Sequence, residues 1–332
     1  MESMRDSGFR GTHGGTGDGS RRIPFRKSKR ASMLVPLLIG ALAAALFQTG
    51  CSGAKRRQIL CTITKDSIPA FDFHELAESA KLARDAYRDS ASNVKTYGGK
   101  YQVDLFPLPK SSGQVLFLKD TAAHRQIVSI RGTETKFVRS VLTDAQYTKE
   151  IDPKLGIFVH LGFQKAVREL YDSLVPRLDT SYATRITGHS LGGALAVLLT
   201  YYMTVDGYRL ERTVTFGQPK VTNREGVEKF GKVRLLRVIN SRDPVAYVPP
   251  LSYVTAINSP YQHAGGALVL QDAPPYEYVC SEASGVTFVS EFWRDILGQD
   301  TTAQASLEAN LAFHRDKYYV EKLEALERAP GP

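Results

Sequence analysis

The sequence predicts an α/β domain with a mainly parallel central sheet and helices on both faces. Strand-like apolar runs alternate with helix-like runs between residues 115 and 239, and this alternation is typical of parallel sheets. One strand-like run passes through a glycine-rich turn directly into an apolar helical run near residue 190. The chain has 332 residues, of which 42% are hydrophobic, enough to bury a large core.

The elements follow one another in a simple order. Strand-like runs occupy residues 115–118, 126–130, 182–187, 213–216 and 233–239. Helix-like runs occupy residues 163–178, 191–203, 223–230 and, closing the domain, 307–326. Residues 58–328 contain no internal repeat and no long low-complexity linker, so a single domain is expected there. In parallel sheets the sites form at the carboxyl ends of the strands.

The charge is concentrated at the N-terminus. The net charge is +9, and residues 1–51 hold eight of the Lys and Arg residues but three of the Asp and Glu residues. This segment therefore carries more than half of the net charge, and the rest of the chain is nearly balanced. No basic stripe with interleaved aromatic residues is present, so nucleic-acid binding is not expected.

The first fifty residues indicate an export segment rather than a folded domain. Residues 1–31 are rich in Gly, Ser and Arg without an apolar period, and this predicts disorder. A basic run at 21–30, an apolar run at 32–47 and small residues before Cys51 make 32–51 an export signal. The alternative is a single uncleaved N-terminal membrane anchor. Both interpretations export the domain that follows.

The three cysteines have separate expected fates. Cys51 lies where a bacterial lipobox places its lipidated cysteine, which predicts a membrane-attached lipoprotein of the cell envelope; Gln48 stands where that motif usually has leucine. Cys61 and Cys280 can form a disulfide in an oxidising compartment, and the alternative is two unpaired cysteines. The spacings His-x-x-x-His and Cys-x-x-Cys are absent from the sequence, so no metal or organic cofactor is expected.

The sequence GHSLG at residues 188–192 is the strongest local motif. It lies between a strand-like and a helix-like run, the setting that gives Gly-x-Ser-x-Gly its chemical meaning. Its glycines permit a tight turn, which lifts the side chain of Ser190 out of the sheet beside unpaired N–H groups of the helix start. Ser190 is therefore a candidate nucleophile. The alternative is a tight turn with an incidental serine.

A serine nucleophile needs a base and a carboxylate that orients this base. In this arrangement the acid and then the histidine follow the serine along the chain. Asp243, just after the last predicted strand, is the first candidate acid, and Asp272 is the second. An Asp-Pro turn former is the other interpretation of Asp243. Only His263 and His314 follow Ser190, and chemistry alone leaves both open as the base.

The developing oxyanion needs hydrogen-bond donors. The backbone N–H of Leu191, directly after the nucleophile, is the first candidate. The second donor should come from a loop after an earlier strand, and residues 131–135 follow the strand-like run 126–130. Gly132 permits an unusual turn there, and Thr133 can donate through its N–H and its hydroxyl. The alternative is an ordinary polar turn.

Several motifs together resemble the class 3 lipases, the fungal-type triacylglycerol lipase family of the α/β-hydrolase fold. The matching segments are RGT at 131–133, VHLGF at 159–163, TGHSLGGALA at 187–196, TFGQPKVTN at 215–223, NSRDPV at 240–245 and VPP at 248–250. The resemblance implies an α/β-hydrolase domain over residues 58–328. It also selects His314, which begins a His-x-x-x-x-Tyr-like segment, as the base and makes His263 a second, non-catalytic histidine.

The resemblance further implies a lid after the oxyanion loop, within residues 134–144. Phe137, Val138, Val141 and Leu142 are its apolar members, at spacings that suit a short amphipathic helix. Val141 stands where the family often has tryptophan.

The implied activity is hydrolysis of lipid or other carboxylic esters through an acyl-enzyme on Ser190, His314 and Asp243. The partly charged lid favours a broad lipase/esterase over a strict triacylglycerol lipase. The expected partners are an ester substrate and, through the N-terminal anchor, a membrane. The alternative from another class is a catalytically inactive hydrolase-fold lipoprotein that serves as a binding or envelope-structural module.

Overall fold

The computed structural model describes residues 70–132, 148–248, 260–279 and 311–329. All of them belong to the unit Gln58–Pro332. Within these ranges no helix combines the length and the apolar character needed to cross a bilayer. The predicted disorder of residues 1–31 and the export signal at 32–51 lie outside the described residues.

The described residues contain both α-helices and β-strands. The helices are α1 (Phe73–Asp85), α2 (Ser90–Tyr97), α3 (Leu161–Leu174), α4 (Leu191–Val205), α5 (Arg224–Lys229) and α6 (Asp316–Arg328). The strands are β1 (Gln102–Leu108), β2 (Gly113–Asp120), β3 (Arg125–Ile130), β4 (Lys149–Asp152), β5 (Ile157–His160), β6 (Ala183–His189), β7 (Leu210–Phe216), β8 (Thr222–Asn223), β9 (Leu235–Asn240), β10 (Tyr261–Gln262), β11 (Gly266–Leu270) and β12 (Tyr276–Val279). Short 3-10 turns occupy Val175–Arg177, Pro244–Tyr247 and Ala312–His314.

A mainly parallel sheet of eight strands organises the domain. Its order is β1-β2-β3-β6-β7-β9-β11-β12. The central strands β3, β6, β7, β9 and β11 run parallel, whereas β1, β2 and β12 are antiparallel to their neighbours. The predicted fold class is confirmed. A second, antiparallel sheet of order β10-β8-β5-β4 was not predicted, because strands of two to four residues are too short to show a period in the sequence.

Helices cover both faces of the large sheet. Successive side chains of a strand point to opposite faces. In β2, Val115 and Phe117 belong to the core formed with α3 and α4, whereas Leu116 and Leu118 pack with Leu82 of α1. The alternation therefore places α3 and α4 on one face and α1 on the other. Helix α6 packs with α1 against β7, β9 and β11.

Local sequence explains where several helices begin. The side chain of Asp72 accepts a hydrogen bond from the N–H of Glu75 at 3.1 Å at the start of α1, and Asp89 accepts one from Ser92 at 2.8 Å at the start of α2. Such caps satisfy N–H groups that have no partner inside the helix. Helix α4 is buried without interruption from Leu191 to Met203, so it is a core helix with no solvent face.

Two predicted helices differ from the structure. The run 163–178 was expected to be one helix, but α3 ends at Leu174 and a 3-10 turn follows; Pro176 in this turn has no N–H to continue the helix. The closing helix was expected over 307–326, but Arg315 is extended, with φ −65° and ψ 138°, and α6 begins after it. Tertiary hydrogen bonds of His314 hold this break. Residues 307–310 lie outside the described part.

Candidate active site

The turn after β6 has the strained geometry that the glycine-rich motif predicts. Ser190 has φ 59° and ψ −128°, a left-handed φ that costs a non-glycine residue free energy. A Cβ atom at Gly188 would lie 2.3 Å from the carbonyl oxygen of Gly192, and one at Gly192 would lie 2.1 Å from that of Ile130. Only glycine fits at these two positions, so the close packing of strand, turn and helix depends on them.

The turn places Ser190 at the carboxyl end of the parallel strands. Its N–H donates to the carbonyl oxygen of Phe216 at 2.9 Å, which ties it to the end of β7, and only 2% of the residue is exposed. Helix α4 begins at Leu191. The first N–H groups of a helix have no partner inside it and lie at its positive end. The N–H of Leu191 therefore lies where the predicted oxyanion donor should be.

Asp243 and His314 form a buried pair. Asp243 follows β9 and is fully buried. One of its carboxylate oxygens, Oδ1, accepts the N–H of Val245 at 2.8 Å, and the other, Oδ2, accepts Nδ1–H of His314 at 2.8 Å. This bond fixes the ring so that Nε2 is the basic nitrogen. The structure thus brings the two predicted residues together across 71 positions of sequence.

The other ring nitrogen of His314 is buried without a partner. Nε2 makes no hydrogen bond, to Ser190 or to any other described group. Catalytic hydrogen bonds are often long in ligand-free enzymes and tighten when the substrate binds. A buried acceptor without a donor costs free energy, which is consistent with a nitrogen kept for a reacting proton.

Tyr319 has a role that the sequence did not predict. Its hydroxyl donates to Oδ2 of Asp243 at 2.5 Å and accepts the N–H of Asn240 at 3.2 Å. Burial, reinforced by the negative charge of Asp243, raises the pKa of Tyr319 well above its usual value, so the hydroxyl keeps its proton. Tyr319 is the tyrosine of the His-x-x-x-x-Tyr-like segment, and this motif is the only sequence signal for its hydrogen bond to Asp243.

Gly217 leaves room for the side chains of Asp243 and His314. Its φ is 55°, a value that L-residues with side chains rarely adopt. A Cβ atom there would lie 2.5 Å from Oδ2 of Asp243 and 3.0 Å from Cε1 of His314. No larger residue can stand at this position without moving the acid or the base.

The alternative acid and base lie elsewhere. Asp272 is exposed and forms ion pairs with Arg242 at 2.9 Å and Lys322 at 2.7 Å. His263 is buried, and its Nε2–H donates to the carbonyl oxygen of Ala246 at 2.7 Å. Burial and nearby cations lower the pKa of His263 well below its usual value. His263 thus holds the 3-10 turn Pro244–Tyr247, a structural role of the kind that the family resemblance implies.

Some predicted site residues lie outside the described ranges. These are Thr133 of the oxyanion loop, Phe137, Val138, Val141 and Leu142 of the lid, and Cys51, Cys61 and Cys280. The described part of the oxyanion loop ends at Gly132, directly after β3. The second oxyanion donor, the lid, the lipidation and the disulfide therefore remain predictions.

Two other features of the described residues bear on the choice of site. They contain no group of three His, Cys, Asp or Glu residues able to hold a metal ion. A shallow groove of about 630 Å³ lies between the C-terminal half of α4 and the starts of β7 and β9. It lies at the amino ends of the parallel strands, whereas Ser190 follows a carboxyl end.

The arrangement matches a known family. Residues 127–253 fit the family model described as Lipase (class 3). Over these residues the chain is similar to the class 3 lipases. The matched region includes Ser190, Leu191 and Asp243, whereas His314 follows it in the chain.

Two curated relatives are lipases by name. The chain is 30% identical over 166 residues to a secreted mono- and diacylglycerol lipase of Fusarium solani, covering 45% of this chain and 47% of the relative. It is 34% identical over 143 residues to the secreted mono- and diacylglycerol lipase MDL2 of Malassezia globosa, covering 37% and 46%. The chain thus spans less than half the length of these curated relatives.

Solved lipase structures share the fold. The lipase of Rhizopus microsporus var. chinensis superposes with a TM-score of 0.55 at 24% identity, covering 68% of this chain and 87% of the other. At this identity the similarity establishes the α/β-hydrolase fold and not the activity.

Proposed function

We propose that the protein is a carboxylic-ester hydrolase acting on lipid esters through an acyl-enzyme. One observation carries the proposal: Nε2 of His314 is buried and unpaired, while Nδ1 of the same ring is held by buried Asp243. This base lies in the same cluster as the strained turn of Ser190, since its ring packs 4.6 Å from that of His189. A serine in a strained turn (Ser190), an oriented histidine (His314) and a buried carboxylate (Asp243) are the groups that nucleophilic acyl transfer requires.

The proposed mechanism has two half-reactions, acylation of Ser190 and hydrolysis of the acyl-enzyme. Ser190 Oγ attacks the ester carbonyl while His314 Nε2 takes its proton, and Asp243 stabilises the imidazolium. The N–H of Leu191 and Thr133 bind the oxyanion of the tetrahedral intermediate. His314 returns the proton to the alcohol as the ester bond breaks. Water then attacks the acyl-enzyme and gives its proton to His314. The bond between the acyl carbon and Ser190 Oγ breaks, His314 returns the proton to Oγ, and the acid leaves.

The substrate class follows from the site and its relatives together. Two relatives are named mono- and diacylglycerol lipases, which supports small acylglycerols as substrates. The sequence of the lid segment mixes charged and apolar residues. We therefore propose a broad lipase/esterase whose activity does not rise sharply when the substrate passes its solubility limit.

Export and membrane attachment are a separate part of the proposal. The same two relatives are secreted by name, which supports export of this chain. Attachment through a lipid on Cys51, or through an uncleaved anchor at 32–47, rests on the sequence pattern alone.

The decisive test is hydrolysis of p-nitrophenyl esters of increasing acyl length by the full chain and by Ser190→Ala. We expect turnover by the parent and a loss of about 10⁴- to 10⁶-fold in kcat for Ser190→Ala, with an unchanged unfolding midpoint. Ser79→Ala is the matched control, since this hydroxyl donates to the carbonyl of Glu75 within α1. Equal turnover by the parent and Ser190→Ala would reject the mechanism.

The inactive-module alternative gains no support from the comparisons. It predicts that a fluorophosphonate probe leaves the parent unlabelled. The hydrolase predicts labelling of the parent and none of Ser190→Ala.

A further inference from the structure

A chain of hydrogen bonds outside the triad connects the three parts of the site. The N–H of Gly132 donates to the hydroxyl of Tyr87 at 3.1 Å. This hydroxyl lies 3.1 Å from Nδ1 of His189. Nε2 of His189 lies 2.6 Å from the carbonyl oxygen of His314. This series of hydrogen bonds thus starts at Gly132 of the oxyanion loop, passes through His189 directly before the nucleophile, and ends at the backbone carbonyl of His314.

The partners allow one arrangement of protons. A carbonyl oxygen only accepts, so Nε2 of His189 carries the proton and donates it. Burial, with His314 nearby, lowers the pKa of His189 well below its usual value, so the ring is neutral and Nδ1 accepts. The hydroxyl of Tyr87 must then donate to Nδ1. Its oxygen remains free to accept the N–H of Gly132, and every group in the chain is satisfied.

Packing strengthens the link between His189 and the base. The two imidazole rings of His189 and His314 lie 4.6 Å apart, centroid to centroid, at 32°, and the ring of Tyr319 lies 5.9 Å from His189. Although Tyr87 is 37% exposed, its hydroxyl points inward to this cluster. His314 is in a short 3-10 turn, and the bond from His189 to its carbonyl oxygen helps to fix this backbone.

We propose that Tyr87 and His189 are positioning residues that hold the oxyanion loop and the general base in register around Ser190. Neither touches the reacting atoms. Tyr87 fixes the backbone directly before Thr133 through Gly132, and His189 fixes the backbone of His314. Acyl transfer requires the oxyanion donors and the general base to be positioned at the same time around the ester carbonyl. Small displacements of either lower the rate by large factors. This inference rests on the proposed function.

Removal of the Tyr87 hydroxyl in the full chain tests the inference. We expect Tyr87→Phe to lower kcat for a p-nitrophenyl ester about tenfold, with KM nearly unchanged, because the contacts position the transition state and not the ground state. Tyr201→Phe is the matched control. The Tyr201 hydroxyl is also buried but has no hydrogen-bond partner among the described residues, so its loss should leave kcat unchanged.

A pair of His189 variants separates positioning from simple packing. Gln can place an amide N–H and an amide oxygen near the two ring nitrogens of His189, whereas Leu fills space only. We expect His189→Gln to retain much more of the kcat than His189→Leu at equal thermal stability. Histidine side-chain ¹⁵N NMR adds a readout besides turnover: His189 should be the Nε2–H tautomer, and Tyr87→Phe should move the His314 signals.

The outcomes distinguish the two proposals. If the parent hydrolyses esters but Tyr87→Phe matches Tyr201→Phe in kcat and in the His314 signals, positioning by Tyr87 is wrong and the hydrolase stands. Equal kcat for His189→Gln and His189→Leu overturns the role of His189. If the parent neither hydrolyses esters nor reacts with a fluorophosphonate, the proposed function fails and the positioning role fails with it.

Discussion

Two fully buried aspartates in this protein share a local design and differ in the basic side chain that each contacts. Asp243 accepts the N–H of Val245 on Oδ1 and the hydroxyl of Tyr319 on Oδ2. Asp152, at the end of β4, accepts the N–H groups of Lys154 and Leu155 on Oδ1 at 3.0 and 2.9 Å and the hydroxyl of Tyr202 on Oδ2 at 2.6 Å. Each carboxylate therefore caps a turn and binds a tyrosine.

The basic side chain separates the two aspartates. Asp243 binds His314 at 2.8 Å, whereas Asp152 faces the guanidinium of Arg168 at 3.5 Å. A guanidinium stays charged and transfers no proton at neutral pH. An imidazole held at one nitrogen offers the other as a base. A backbone cap and a tyrosine thus accompany a structural ion pair in one region and two residues of the proposed catalytic site in the other.

Replacement of each carboxylate by an amide should have the largest effect on kcat and should separate the two aspartates most clearly. We expect Asp243→Asn to lower kcat about 10³- to 10⁴-fold, because an amide no longer holds the productive tautomer of His314. Asp152→Asn should leave kcat nearly unchanged and lower the free energy of unfolding by about 1–3 kcal/mol through weakened buried hydrogen bonds. Ester turnover and urea denaturation of both variants measure this. Similar losses of kcat in the two would remove the distinction.

A methyl group beside Asp243 should have the next largest effect. Gly217→Ala places a Cβ atom 2.5 Å from Oδ2 of Asp243, so the pair must move, and we expect kcat to fall roughly 100-fold. Gly207→Ala is the control, since Gly207 has φ 76° but no heavy atom within 4 Å of such a Cβ. It should lose only about 1–2 kcal/mol of stability from the left-handed backbone. A kcat of Gly217→Ala equal to that of the parent would show that the Asp243–His314 pair tolerates displacement.

Removing the two tyrosine hydroxyls should have the smallest effect on rate. Tyr319→Phe deletes one donor to Asp243 and leaves the N–H of Asn240 unpaired. We expect kcat to fall about tenfold, which corresponds to about 1.4 kcal/mol. Tyr202→Phe should leave kcat unchanged, while both variants lose on the order of 1–3 kcal/mol of stability. If both rates stay at the parent level, Tyr319 serves stability alone, as Tyr202 does.

The sequence by itself determined the parts of the molecule that depend on neighbouring residues. Alternating strand and helix patterns predicted the parallel core of the sheet, and the glycines around Ser190 predicted the strained turn. Asp243 was identified by its place after a strand. These features follow from backbone sterics, periodicity and turn chemistry, which act over a few residues.

Only the tertiary structure decided which distant groups meet. The bonds of Asp243 to His314 and to Tyr319 span 71 and 76 positions, and that of His189 to His314 spans 125. Residue chemistry alone left His263 and His314 equal. No local signal indicated a role for His189 or the break before α6. Such contacts form only after the core brings the strand ends together, because their free energy belongs to partners that the local sequence does not contain.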